Sequence, residues 1–531
     1  MAVRADLRRA EQAMKDSPVQ GVLACMAILG RHPANGPARA MLRAMDGAQR
    51  RQVLSSAAAL GQAGHWQQAL ALLQPLSAHH PADPALALAE AQALGHLGLD
   101  AQVPARLAAP RRAHPDDPDL MAQEALARFR AGETAQAEAL LARAAPLRPG
   151  DGRIANNLGL MRQVLGDLAG AEQAFRAAVS GKDRFAGAWL NLAALTDLNQ
   201  EPALRAALEG DGRDAQRPDM DREMLAFALA DTALHRGDLP EAFARLETGN
   251  ALHRQSHPHD EAALAARVRA MADRLPPGFA TQAQPCRVVL IVGMPRSGTT
   301  LLERILDAHP MIEGLGEQDT LTAQVPALDS RLAAWTPEAL NHLGRTYMAA
   351  LTAAARGDAP VLVDKMPGNA LVAGFALAAL PEARVIHIRR DPIACAASIW
   401  RMRFSQGNDF AYAMEDIATR SQLTEAMMQH WKAVFPDRIQ TTLYEVLTAR
   451  PEAETRRILT GLGLPADPAC LSYSGATGEV RTASAHQVRQ PIWRSAPGSW
   501  RSLGPHVAPL ADLLQEAATA HERACAEALA G

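Results

Sequence analysis

Lysine is nearly missing from this chain of 531 residues, occurring only at Lys15, Lys182, Lys365 and Lys432, while arginine supplies the other basic positions. A lysine in a candidate site therefore counts for more than an arginine would. Aromatic residues make up only 4%, and the 54 basic residues are offset by 57 acidic ones. That near-neutral balance gives no electrostatic case for a nucleic-acid or membrane-surface protein, so any anion site must be local. Cysteine is scarce and dispersed, at Cys25, Cys286, Cys395, Cys470 and Cys525, without the paired spacing of a zinc ribbon or a redox dithiol. No run reaches the ~18 apolar residues of a membrane span, and the charged N-terminus lacks a signal-peptide core. A cytoplasmic protein is expected. With 48% hydrophobic and 21% charged residues, the chain has enough apolar material for several cores.

What is present in the first half is a period. Gly64, Gly98, Gly132 and Gly166 recur every 34 residues, as do Pro81, Pro115 and Pro149. Ala69, Ala137 and Ala171 follow their glycines by five residues, and Leu73, Leu107, Leu141 and Phe175 supply a large apolar position. This is the tetratricopeptide period, in which the glycine turns the chain between two helices and the alanine permits close helix approach. A further unit passes through Gly237, Ala242 and Leu246 in a displaced register, which places an insertion at 200–222 and extends the array to about Arg274. Stacked helix pairs offer a surface for a peptide, for another copy of the chain, or for buttressing a neighbouring domain.

Around residue 280 the alanine-rich texture stops. Strands are expected at 287–292, 361–363, 385–388 and 439–443, with helical patterns between them, so residues 281–531 read as an α/β domain on a parallel sheet, preceded by an all-α solenoid over 1–280. Directly after the first strand comes Gly293-Met294-Pro295-Arg296-Ser297-Gly298-Thr299-Thr300, opening an amphipathic helix. Backbone N–H groups, a helix N-terminus and the Arg296, Ser297, Thr299 and Thr300 side chains make an anion cradle. Gly298 keeps the glycine spacing of a nucleoside-triphosphate loop, but Thr299 stands where such a loop carries lysine.

The run Pro295 to Thr300, followed by Leu306-Asp307-Ala308-His309-Pro310, resembles the 5′-phosphosulfate loop of sulfotransferases, and most closely the tyrosylprotein and bacterial repeat-containing branches. The resemblance covers about 286–504 and implies a P-loop-like fold. It also implies 3′-phosphoadenosine 5′-phosphosulfate as donor, an alcohol or phenol as acceptor, and no metal. A second element agrees with it: Ile388-Arg389-Arg390-Asp391-Pro392, then Ser398. Asp391 can cap a helix begun by Pro392, and eight residues of helix rise only ~12 Å, so Arg390 and Ser398 can meet one phosphate. The resemblance implies the donor's 3′-phosphate. Taken alone, Arg390 is equally a surface arginine paired with Asp391.

The resemblance further implies that Glu317 is the general base, with Glu313 and Asp319 as neighbouring alternatives. Lys365 is implied as the stabiliser of the leaving oxygen, Tyr444 as a nucleotide contact, and Ser484 as a donor to the sulfuryl group. Without it, Glu317 is a solvated loop carboxylate and Tyr444 a core aromatic. His309 reads as structural. The family's basic residue before Trp500 is absent, since Ser499 occupies that place, and Arg489, Arg494 and Arg501 are its possible substitutes. Two rivals stand beside a sulfotransferase: a P-loop phosphotransferase, and a non-enzymatic repeat scaffold with a degenerate nucleotide domain. The acceptor is left open among peptide tyrosine, saccharide, lipid and metabolite hydroxyls. A protein or peptide bound by the repeats, and a homo-oligomer, are the partners in view.

Overall fold

The computed structural model describes residues 2–181, 184–275, 287–332, 334–404, 407–471 and 499–530. Two compact units emerge, Met1–Leu195 and Thr196–Gly531.

The first unit is a succession of helices, and its punctuation follows the sequence period. Gly64, Gly98, Gly132 and Gly166 all adopt positive φ, between 70° and 92°, where a side chain would strain the turn. Ala69, Ala137 and Ala171 are at most 1% exposed, and Leu73, Leu107, Leu141 and Phe175 at most 2%. Asp83, Asp117 and Asp151 each accept backbone N–H bonds at the start of the next helix, which fixes where each pair begins.

The second unit is built on a five-stranded parallel sheet: β1 (Arg287–Gly293), β2 (Ile312–Gly314), β3 (Val361–Lys365), β4 (Arg384–Arg389) and β5 (Ile439–Leu443), in the order β2-β3-β1-β4-β5. The four expected strands are present, and β2 is additional. Alternate residues of β1 feed opposite cores. Val288, Leu290 and Val292 pack with Tyr347, Phe375 and Trp431 on one face, while Val289 and Ile291 pack with Leu302, Ile305 and Ile458 on the other.

The chain divides into its compact units between Leu195 and Thr196, whereas the composition changes near 280. The reason is packing. Ala265, Val268, Met271 and Ala272, from helix Glu261–Asp273, belong to the same core as Val288 and Leu290 of β1. Residue texture marks where strands begin, and the last helix of the array is nonetheless part of the sheet's own core. Among the described residues no helix is long and apolar enough to cross a membrane.

Candidate active site

Every strand of the sheet points its carboxyl end the same way, and open parallel sheets bind ligands at that edge. The last residue of β3 and the residues directly after β1, β4 and β5 are among the candidates named above. The loop after β1 turns into helix Thr299–Asp307 through Gly298, at φ 104°. A Cβ at Gly298 would lie 2.5 Å from the Tyr444 ring, so the loop approaches the end of β5 at a distance only glycine permits. Arg296 takes φ 69°, unusual for a residue with a side chain and commonest where function over-determines the backbone.

The loop and the end of β4 are joined by side chains. Arg296 Nε donates to Ser398 Oγ at 3.0 Å, and Arg390 Nη1 donates to the Arg296 carbonyl at 2.9 Å. The Arg390 guanidinium lies over the Tyr444 ring, 4.7 Å from its centroid. Burial, then the charge of Arg390, brings the Arg296 pKa down to about 10. Arg296 therefore stays cationic at neutral pH, beside a second cation. Ser297 is 1% exposed, and its Oγ has no hydrogen-bond partner among the described residues. Ser297 and Arg390 line a cavity of about 260 Å³, together with Met294, Cys395, Thr424 and His521. Arg390 and the Ser297 hydroxyl on one cavity, with the Arg296 guanidinium and a helix N-terminus beside them, fit a multiply charged phosphate ligand.

Asp391 caps helix Pro392–Trp400 as expected, accepting from the Ile393 and Ala394 amides, and its other oxygen accepts from Trp500 Nε1 at 3.1 Å. Ser398 meets Arg296 here, so the serine links the two phosphate elements instead of serving Arg390 alone. Arg389 lines the same cavity but is paired with Glu425 at 3.0 Å.

The second group is centred on the last residue of β3. Lys365 is wholly buried, and its Nζ donates to Glu317 Oε1 at 2.6 Å. Glu317 keeps 44% of its side chain exposed, so its carboxylate is reachable from solvent while anchored from below. The alternative Glu313 is committed elsewhere, accepting from the Arg356 and Gly357 amides at 2.6 and 3.1 Å. Asp319 stands at the start of helix Thr320–Asp329 without a side-chain capping bond. His309 is held by the Met311 amide and the Pro465 carbonyl.

Two buried carboxylates were not singled out from the sequence. Glu303, on helix Thr299–Asp307, accepts from the Gly316 amide at 2.8 Å, and Asp364 accepts from the Gln318 amide at 3.3 Å. They hold the segment bearing Glu317 from two sides. The only signal was an acid inside an otherwise apolar helix face. Ser484, Arg489 and Arg494 lie outside the described residues. Arg501 stacks on Trp500, 4.8 Å from the ring centroid, and pairs with Glu522.

Residues 288–468 match the model of a sulfotransferase family. An uncharacterized protein of Aquifex aeolicus is 32% identical over 247 residues, covering 43% of this chain and 32% of its own. The Drosophila melanogaster protein-tyrosine sulfotransferase is 26% identical over 233 residues, 40% of this chain and 46% of that one. The chain thus spans less than half the length of either relative. Among solved structures, the sulfotransferase domain from the curacin biosynthetic pathway aligns with 44% of this chain and 99% of its own, at 18% identity and TM-score 0.32. A tetratricopeptide repeat protein from Parabacteroides merdae aligns with 50% of this chain and 96% of its own, at 13% identity and TM-score 0.33.

Proposed function

We propose that this protein, whose residues 288–468 match the model of a sulfotransferase family, moves a sulfuryl group from 3′-phosphoadenosine 5′-phosphosulfate to an acceptor hydroxyl. One observation carries the reading: a buried lysine bonded to a solvent-reachable carboxylate, on the sheet edge that also holds the Arg296-Ser398-Arg390 cluster.

Arg390 and Ser398, linked through Arg296, hold the 3′-phosphate, and Ser297, Thr299, Thr300 and the loop amides hold the phosphosulfate end. Tyr444 supports the nucleotide. Glu317 takes the proton of the acceptor hydroxyl as its oxygen bonds to sulfur. Lys365 meets the negative charge that develops on the bridging oxygen as the old sulfur–oxygen bond breaks, releasing adenosine 3′,5′-bisphosphate. Ser484 donates to the sulfuryl oxygens. Arginine and lysine carry the charge stabilisation in this scheme, and no metal is called on. The repeats serve acceptor recognition or assembly, with a peptide among their ligands and peptide tyrosine among the acceptors, and the reaction runs in the cytoplasm. Thr299, in place of a loop lysine, weighs against the phosphotransferase alternative.

The test uses the full-length protein, radiolabelled phosphosulfate and fractionated acceptors. Label should pass to an acceptor, and Glu317→Gln should lower turnover roughly 100-fold or more with little change in donor binding. Arg390→Ala should weaken adenosine 3′,5′-bisphosphate more than adenosine 5′-phosphate, read from the ligand-induced rise in melting temperature. Magnesium-dependent ATP turnover without label transfer would put the phosphotransferase in its place.

A further inference from the structure

Lys365 is flanked by two carboxylates, and the reaction above uses only one of them. Glu317 Oε1 lies 2.6 Å from Nζ and is 44% exposed. Glu303 Oε2 lies 3.9 Å from the same nitrogen and is 10% exposed, while its Oε1 accepts the Gly316 amide at 2.8 Å. Glu303 and Asp307 stand one turn apart on helix Thr299–Asp307, and Asp307 similarly accepts the Gly314 amide at 2.6 Å. The helix that opens at the phosphate loop thus sends two acids down to the strand and turn that lead to Glu317.

The chemistry makes the second acid necessary. When Glu317 accepts the acceptor's proton it loses its negative charge, and Lys365 loses its nearest counter-ion at the moment its full charge is needed. An ammonium with no exposed surface does not keep that charge without a partner. The charged groups that act on Glu303 are Lys365, Asp307, Glu317 and, through the sheet, Asp364, and Lys365 is the cation in that set. Burial raises the Glu303 pKa, and Lys365 and the Gly316 amide pull it back towards the ionised form.

We propose that Glu303 is the standing counter-ion of Lys365, a positioning residue that keeps the buried ammonium charged and in place while Glu317 is neutralised. Its catalytic meaning rests on the sulfuryl-transfer reading, but the ion pair itself does not. Glu303→Gln separates this from simple stitching of the turn, because the amide oxygen still accepts from Gly316 while the charge is gone.

The scarcity of lysine makes the test direct. Full-length protein labelled at lysine 13Cε carries four lysines, and Lys365→Arg assigns the signal in question. In Glu303→Gln the midpoint of the Lys365 titration should move about one pH unit or more to lower pH. Glu303→Asp, which keeps the charge at greater distance, should move it less and serves if the glutamine variant folds poorly. A midpoint unchanged within ~0.2 unit would overturn the proposal. With phosphosulfate and 4-nitrophenol as the probe acceptor, Glu303→Gln should lower kcat about tenfold, leave the donor KM within about twofold, and shift the alkaline limb the same way. A kcat loss without the titration shift assigns Glu303 to the turn alone and ends the counter-ion role. A shifted titration in a protein that transfers no sulfuryl group leaves the ion pair standing and removes the proposed reaction instead.

Discussion

Asp364 and Lys365 are consecutive on β3, so their side chains leave opposite faces of the sheet. Lys365 goes to the face of helix Thr299–Asp307. Asp364 goes to the other, where it accepts from Tyr347 Oη at 2.5 Å and Asn369 Nδ2 at 2.9 Å. Burial pushes the Asp364 pKa up to about 7, although the hydrogen bonds from Tyr347, Gln318 and Asn369 oppose it. Between the unfolded value near 4 and this folded value, the native state holds the proton and the unfolded chain has lost it. Stability from this group therefore falls as pH rises through that window. Asp364→Asn removes the slope. Relative to the parent, the variant should gain stability between pH 4.5 and 7.5 by ~1 kcal/mol or more, read from urea melts at the two pH values. A constant difference would mean that Asp364 is ionised throughout. At this scale the sequence marks single residues and not their pairings. Glu317 is marked by the family resemblance and Lys365 by the rarity of lysine, each for a separate role, and neither signal anticipates the bond between them. The Arg296-Ser398 bond was not legible, since it joins positions 102 residues apart and nothing local encodes that reach.

Helix Pro392–Trp400 carries Ser398, and the segment following it is gripped by the last helices of the array. Glu223, 2% exposed, accepts from Arg403 at 2.7 Å and pairs with His253 at 3.0 Å. Glu261 accepts both Nε and Nη2 of Arg420, at 2.5 and 2.7 Å. Asn250 Nδ2 donates to the Trp400 carbonyl at 3.2 Å, and Phe243 stacks on Trp400. Removing one partner of a buried ion pair costs ~3–5 kcal/mol, and loss of Glu223 and Glu261 would strand the largely buried Arg403 and Arg420. A chain beginning at Thr196 should therefore fold and bind adenosine 3′,5′-bisphosphate. One beginning at 276 should melt far lower or aggregate, in a thermal-shift comparison of the two. Equal melting temperatures would show the grip to be dispensable. The repeat helices were legible because their contacts lie within one or two periods. The strands β1, β3, β4 and β5 were legible as apolar runs, whereas the three residues of β2 carry no periodicity. Which core the last helices join depends on contacts 150 residues away, and composition has no access to those.

The whole molecule is assembled from two kinds of contact. In Met1–Leu195 helices pack on their sequence neighbours, and a bond such as Asn191 to Asn156 spans 35 residues. In Thr196–Gly531, Glu223 waits for Arg403, 180 residues later, and Glu261 for Arg420, 159 residues later. Synthesis proceeds from one end at ~5–20 residues per second, so helices 219–273 leave the ribosome roughly ten to thirty seconds before the partners that cover them. The first unit can close on itself as it emerges. Protease digestion of stalled nascent chains should reveal this order: with about 40 further residues in the exit tunnel, chains ending near 320 should protect 1–195 and be cut within 219–273, and protection there should appear only once residue 420 and the remaining sheet have emerged. For that interval the cell holds an exposed apolar helix trio with unpaired acids, and its safe passage becomes a task for chaperones that bind such faces before the sheet arrives.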